Sequence, residues 1–147
     1  MNTIRKLFSN KNAIAWLVFM STVALHVFDE VMTEFLPFYN QSVINLREQL
    51  GFFPAPTFPF GIWLGGLVGA IIIGYCITPL IARGGKVIRL LVVVLGILMI
   101  FNALIHLLGS IYLEKVIPGV WSSPLLLIAA IWLAMRGLRG EWQIRSN

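Results

Sequence analysis

An all-α, polytopic membrane protein, built as a bundle of four transmembrane helices, is the fold class this sequence predicts, and three observations predict it. The 147 residues are 59% hydrophobic and 12% charged, and a soluble domain carries roughly twice that share of charge. Too little polar surface remains to cover a water-facing globule, so lipid is the expected solvent for most side chains. The apolar residues gather into four runs, at 13–36, 60–82, 88–113 and 119–135, each near the ~20 residues that a spanning helix needs. Nine of the eleven Lys and Arg fall in alternate connections: Arg5, Lys6 and Lys11, then Arg83, Lys86 and Arg89, then Arg136, Arg139 and Arg145. Only Arg47 and Lys115 occupy the other two, a positive-inside bias that predicts both termini on the cytoplasmic side of an integral, cytoplasmic or plasma membrane protein.

The net charge of +5 is thereby accounted for by membrane flanks, and nucleic-acid binding is not expected. The expected lipid contacts are those of any spanning bundle. Residues 1–147 read as a single domain, because the longest connection, the polar outer loop 37–59, is too short to bury a core.

Taken in order, the first run follows a basic tail and has a passable signal-cleavage context at Thr22-Val23-Ala24. Its apolar pattern continues to Leu36, which predicts an uncleaved span. The outer loop ends in the Pro-rich Phe53-Pro54-Ala55-Pro56-Thr57-Phe58-Pro59. The second run carries Gly61, Gly65 and Gly69, and Gly66, Ala70 and Gly74, at four-residue intervals. Such small ridges let a neighbouring backbone approach, within the bundle or across a homo-oligomer seam. Cys76, the only cysteine, reads as a small buried hydrophobe and excludes an internal disulfide. A tight Arg83-Gly84-Gly85-Lys86 turn leads to the third run, and Pro118-Gly119 to the fourth. Ser122 and Ser123 are placed to cap that last helix. The five tryptophans lie mostly toward span ends, as an aromatic belt does.

The informative residues are those that lipid should exclude. The first run holds His26, Asp29, Glu30 and Glu34, half of the chain's six acids with one of its two histidines. The third holds Asn102 and His106. Residues three and four apart share a helix face, so His26, Asp29, Glu30 and Thr33 form one face, and Asn102, His106 and Gly109 another. Both runs cross from the cytoplasm outward, which puts the two faces at one depth in the outer half. Each ionised acid near a span centre costs about 2.5–3.5 kcal/mol on insertion scales, against a gain of about 0.3–0.6 for each large aliphatic residue. Two or three such acids would cancel most of the first span's insertion energy unless they face the bundle interior with partners.

His26-Val27-Phe28-Asp29-Glu30, Asn102-Ala103-Leu104-Ile105-His106 and Pro118-Gly119 together resemble the HXXEE-domain family of small integral membrane proteins, over the whole apolar body. Asp29 stands where the family name has its first Glu. Val116 stands where the family pattern has an aromatic, with Tyr112 the nearest tyrosine. The resemblance implies an enzyme or a metal site and no particular reaction.

Three chemistries suit these residues. Two imidazoles with one or two carboxylates form a usual shell for Zn²⁺, or for Fe²⁺ or Mn²⁺ at higher coordination. In that reading His26, Asp29, Glu30 and His106 are the metal ligands, with Asp29 alternatively orienting His26. Glu30, Glu34 and Asn102 are the catalytic candidates, Glu34 as a general base or proton path and Asn102 toward substrate. The substrate would be lipid-like or hydrophobic, met by a metal-dependent hydrolase or lyase/isomerase. The second chemistry is a metal-free acid–base isomerase or cyclase using a Glu30–His106 pair. The third is a small proton or cation transporter subunit, without the inverted repeats or broken helices that usually mark one.

Overall fold

The computed structural model describes residues 10–140, and among these all regular structure is helical. Six helices follow one another: α1 (Lys11–Met32), α2 (Phe35–Leu50), α3 (Phe60–Cys76), α4 (Thr78–Arg83), α5 (Lys86–Tyr112) and α6 (Ser123–Leu138). Arg5, Lys6, Arg145 and one of the five tryptophans, Trp142, lie outside the described residues.

Two helices, α1 and α5, are long and apolar enough to cross a membrane, and the other two expected spans are shorter. The run 60–82 is divided at Ile77: α3 has 17 residues, and α4 restarts with Pro at its beginning. The ring of Pro79 cannot continue a helix but suits a first turn. The run 119–135 starts inside a turn, where Gly119 has φ +81°, so α6 keeps 16 residues. At 1.5 Å per residue these pieces span about 25 Å, against about 30 Å of bilayer hydrocarbon.

The first run also ends early. α1 stops at Met32, and Glu34 turns the chain with φ 59°, ψ 42°. The segment 37–59 is therefore not an open loop, since most of it forms α2. Pro37 falls in the first turn of α2, where the missing N–H would have no helical partner anyway. The Pro-rich stretch folds back along α2. Asn40 donates to the Phe58 carbonyl at 2.9 Å and accepts from the Phe58 N–H at 3.1 Å. Tyr39 donates to the Pro56 carbonyl, and Arg47 to those of Phe53 and Ala55.

Helix α6 lies between α1 and α5 and is antiparallel to both. At one end Arg136 donates to the Asn12 side chain at 2.7 Å and Arg89 to the Gly137 and Leu138 carbonyls at 2.8 and 3.1 Å. At the other end Asp29 meets Ser122, the residue just before α6. The first and third expected spans thus run the same way. Their contact with α6 is close because small residues face it. A Cβ on Gly96 would lie 2.9 Å from Ala134 Cβ and 3.0 Å from the Ala130 carbonyl oxygen. Trp16, Ile81, Val92, Leu126 and Leu133 fill the core between these helices.

Three expectations about side chains are corrected by this packing. Trp16 is 1% exposed rather than part of a surface belt, and its indole N–H donates to the Gly74 carbonyl at 2.8 Å. Of the glycines in α3, only Gly74 makes a close approach, against Met20; added Cβ atoms at Gly61, Gly65, Gly66 and Gly69 would meet nothing within 4 Å. Within the described chain that ridge is not packing. Cys76 is exposed, because the run breaks just beyond it and α3 turns that side outward.

Candidate functional site

Near its C-terminal end, α1 brings His26 and Glu30 to one face, one helical turn apart. Near the matching end of α5, His106 completes a group of three. Their exposures are 4%, 5% and 3%, so all three are withdrawn from the surface. Glu30 Oε1 lies 3.5 Å from His26 Nε2 and 3.3 Å from His106 Nε2. One ligand atom from each residue lies within 4.8 Å of the others, and the two imidazole rings meet edge to face with centroids 4.9 Å apart.

The opposite nitrogens of the two rings are already occupied. His106 Nδ1 lies 2.6 Å from the Pro118 carbonyl, an oxygen that can only accept, so Nδ1 carries the proton and a neutral ring has a bare Nε2. His26 Nδ1 lies 2.8 Å from Ser122 Oγ, and His26 Nε2 is buried without a hydrogen-bond partner.

The turn before α6 is fitted to this group. Gly119 adopts φ +81°, and a Cβ there would lie 2.8 Å from His106 Cε1 and Nδ1 and 3.2 Å from Glu30 Cγ. Both the left-handed backbone and the lack of a side chain are needed at that position. Thr33 fastens the turn to α1: its hydroxyl donates to the Asp29 carbonyl at 2.6 Å and accepts from the Gly119 N–H at 3.1 Å. Ser123 Oγ donates to the Gly119 carbonyl at 2.7 Å. On the other side Phe35, the first residue of α2, packs its ring 5.4 Å from that of His106. Tyr39 and Trp63 pack against Phe35 in turn.

The residues singled out from sequence are thus distributed as follows. His26, Glu30 and His106 come together. Asp29 is not in the group; its Oδ2 accepts from the Ser122 N–H at 2.9 Å and from Ser122 Oγ at 2.7 Å. Glu34 is exposed at the elbow between α1 and α2 and is not part of the group. Asn102 is half-buried one turn below His106, and its Oδ1 is enclosed without a hydrogen-bond partner. Sequence reasoning missed Ser122, which makes no capping bond to α6 and instead joins Asp29 to His26. The one signal for it was its position three residues after Gly119.

A donor set of two imidazoles and a carboxylate fits a divalent metal. With bonds of about 2.0–2.2 Å the edges of a tetrahedral shell are about 3.3–3.6 Å; two of the three edges, the Nε2–Oε1 separations, lie in that range, and all three ligand atoms lie within 4.8 Å. Three bare electron-pair donors facing one another repel unless a cation or protons lie among them.

A family model described as a protein of unknown function with an HXXEE motif matches residues 16–133 of this chain. No curated protein and no solved structure matches it.

Proposed function

Because the chain belongs to the HXXEE family, whose description assigns no activity, we propose its function from the site alone: a membrane-embedded enzyme in which His26, Glu30 and His106 bind a divalent metal and act on a lipid-like substrate. One observation carries this reading. Two imidazole Nε2 atoms converge on a carboxylate oxygen in a buried site, while both Nδ1 atoms are held elsewhere. Outward-facing partners on a metal-binding histidine fix the ring and its tautomer.

Two histidines and one carboxylate are three protein ligands, the number that leaves a catalytic metal an open position. They suit Zn²⁺, and equally Fe²⁺ or Mn²⁺ in a larger shell. Such a metal supplies Lewis acidity toward a substrate oxygen or a bound water. The chain's own residues supply the rest. Phe35 and the buried neighbours keep bulk water from His106, and Asn102 presents an unpaired amide oxygen one turn away.

Four membrane crossings with both termini inside complete the proposal, with α3 and α4 crossing together and α6 entering from the 118–122 turn. The alternation of Lys and Arg supports that orientation. The crossings themselves are supported by the outward faces, where Ile62, Ile73, Leu90, Phe101, Ile105, Leu108 and Ile128 are exposed. With that orientation the metal group lies in the outer half, within reach of molecules dissolved in the outer leaflet.

Metal analysis of the detergent-purified full chain tests the proposal. Near-stoichiometric Zn, Fe or Mn is expected, falling at least tenfold in His26→Ala, His106→Ala and Glu30→Gln. A folded wild type that neither carries nor takes up any of the three would remove the metal. The Glu30–His106 contact would then favour acid–base chemistry without metal, or proton transfer across the membrane. Proton flux in liposomes that Glu30→Gln abolishes would select the latter.

A further inference from the structure

We infer that Asp29 and Ser122 form a positioning relay that holds the neutral His26 ring in its Nδ1–H form and thereby directs the Nε2 lone pair at Glu30 and His106. The consequence for metal rests on the function proposed above; the assignment of the proton does not.

The direction of every hydrogen bond in the relay follows from an obligate donor. The backbone N–H of Ser122 can only donate, so Asp29 Oδ2, 2.9 Å away, is an accepting oxygen. The Ser122 hydroxyl has one hydrogen and two acceptors to choose between. The same Asp29 Oδ2 is 2.7 Å from Oγ, whereas the Gly119 carbonyl is 3.4 Å away. The shorter bond, to a carboxylate, takes the hydrogen. Ser122 Oγ then has only lone pairs to offer, and the 2.8 Å contact with His26 Nδ1 can form only if that nitrogen carries the proton. A neutral ring has one N–H, so Nε2 is bare, and it is the atom buried without a partner.

The two acids of the motif therefore have different tasks. Glu30 faces both histidines directly. Asp29, the next residue, lies on the flank toward α6 and reaches the same histidine only through a serine 93 residues away in sequence. His106 is set in the same tautomer by the carbonyl of Pro118, so both rings take their orientation from the short segment that enters α6.

A purely structural link between α1 and α6 and a tautomer-setting relay predict different results. In Asp29→Ala the Ser122 hydroxyl loses its nearer acceptor, keeps only the Gly119 carbonyl at 3.4 Å, and is free to donate to Nδ1, which shifts the ring proton toward Nε2. In Ser122→Ala nothing is bonded to Nδ1 and both tautomers coexist. Ser122→Thr keeps the hydroxyl and the single tautomer. Once Ser122 is Ala, Asp29 keeps only the backbone N–H of residue 122 and has no route to the His26 ring, so its loss leaves the tautomer as it is.

The experiment uses full-length protein with ¹⁵N-labelled histidine in detergent micelles, metal-free, at a pH where both rings are neutral. Long-range ¹H–¹⁵N spectra read the tautomer, and Zn²⁺ titration reads affinity. Wild type and Ser122→Thr are expected to show one His26 form, protonated at Nδ1. Asp29→Ala should be shifted toward Nε2–H, and Ser122→Ala should be mixed. The two Ala variants should each bind Zn²⁺ about 10–100-fold more weakly, the range typical for such supporting groups. The double variant should show the same mixed His26 tautomers as Ser122→Ala. A wild-type His26 protonated at Nε2, or an unchanged single tautomer in Ser122→Ala, overturns the relay, as does a further tautomer shift when Asp29→Ala is added to Ser122→Ala. Ser122→Ala alone decides if Asp29→Ala does not fold. A wild type that binds no Zn²⁺ would count against the metal, while its spectra still decide the relay.

Discussion

His26 and His106 use their two ring nitrogens differently, one turned inward to Glu30 and one outward to the turn that begins α6. Gly119 is the residue that lets the outward bonds form. Its positive φ and the 2.8 Å approach of His106 exclude any side chain. Gly119→Ala is therefore expected to destabilise the protein by about 1–3 kcal/mol. It should also cost bound metal, because the imidazole must move away from the new methyl. Thermal unfolding in detergent together with metal content checks both effects. The inward group was readable from sequence, since His26 and Glu30 stand at helical spacing and the alternation of basic residues places His106 at the same depth. Ser122 was not. A serine at the start of a helix has an ordinary reading as a cap, and nothing in local spacing reveals a partner on α1.

At the scale of elements, the elbow between α1 and α2 brings Phe35 onto His106. The chain makes this turn through Glu34 at φ 59°, a conformation that costs an ordinary L-residue about 1–2 kcal/mol and glycine almost nothing. Glu34→Gly is expected to raise stability by up to about 1 kcal/mol, measured by thermal or denaturant unfolding, since glycine's greater freedom when unfolded offsets part of the relief. Metal content should be unchanged, because Glu34 is exposed and outside the group. α2 was hidden in the sequence: its Asn, Gln and Ser residues and the following prolines have the composition of a loop. It is held by partners outside itself: Asn40 bonds Phe58, Arg47 bonds the Phe53 and Ala55 carbonyls, and Leu36 and Val43 are buried. The division at Ile77 was masked differently, because the apolar run continues unbroken through it and only Pro79 marks the restart.

For the whole molecule, the antiparallel passage of α6 between α1 and α5 makes those two helices parallel, and their ends meet at one level around Glu30. The proposed orientation predicts where soluble reagents reach the chain. In a Cys76→Ser background, Thr57→Cys should react with a membrane-impermeant maleimide on intact cells, and Lys86→Cys only after permeabilisation. Both positions are exposed in the structure. The reverse pattern would invert the protein and place the group in the inner half. The helical class and the polar faces of α1 and α5 were legible because period and charge are properties of neighbouring residues. How much of each apolar run becomes helix was not, since the limits are set by backbone turns at Glu34, Ile77 and Gly119.

The connection from α5 to α6 departs from the usual freedom of surface turns, which accept added or lost residues readily. Pro118, Gly119 and Ser122 each serve the site from a fixed offset: a carbonyl for His106, a space for its ring and a hydroxyl for His26. One residue inserted between Gly119 and Ser122 would leave the first two in register and displace the third. One inserted before Ile117, which is itself buried against Gly109, would leave all three in register, with the exposed residues 113–116 taking up the slack. The length of this turn is thus a dimension of the site, like the gap of a calliper, and homologous chains that keep the two histidines are expected to keep its residue count while varying more in the exposed stretch 113–116.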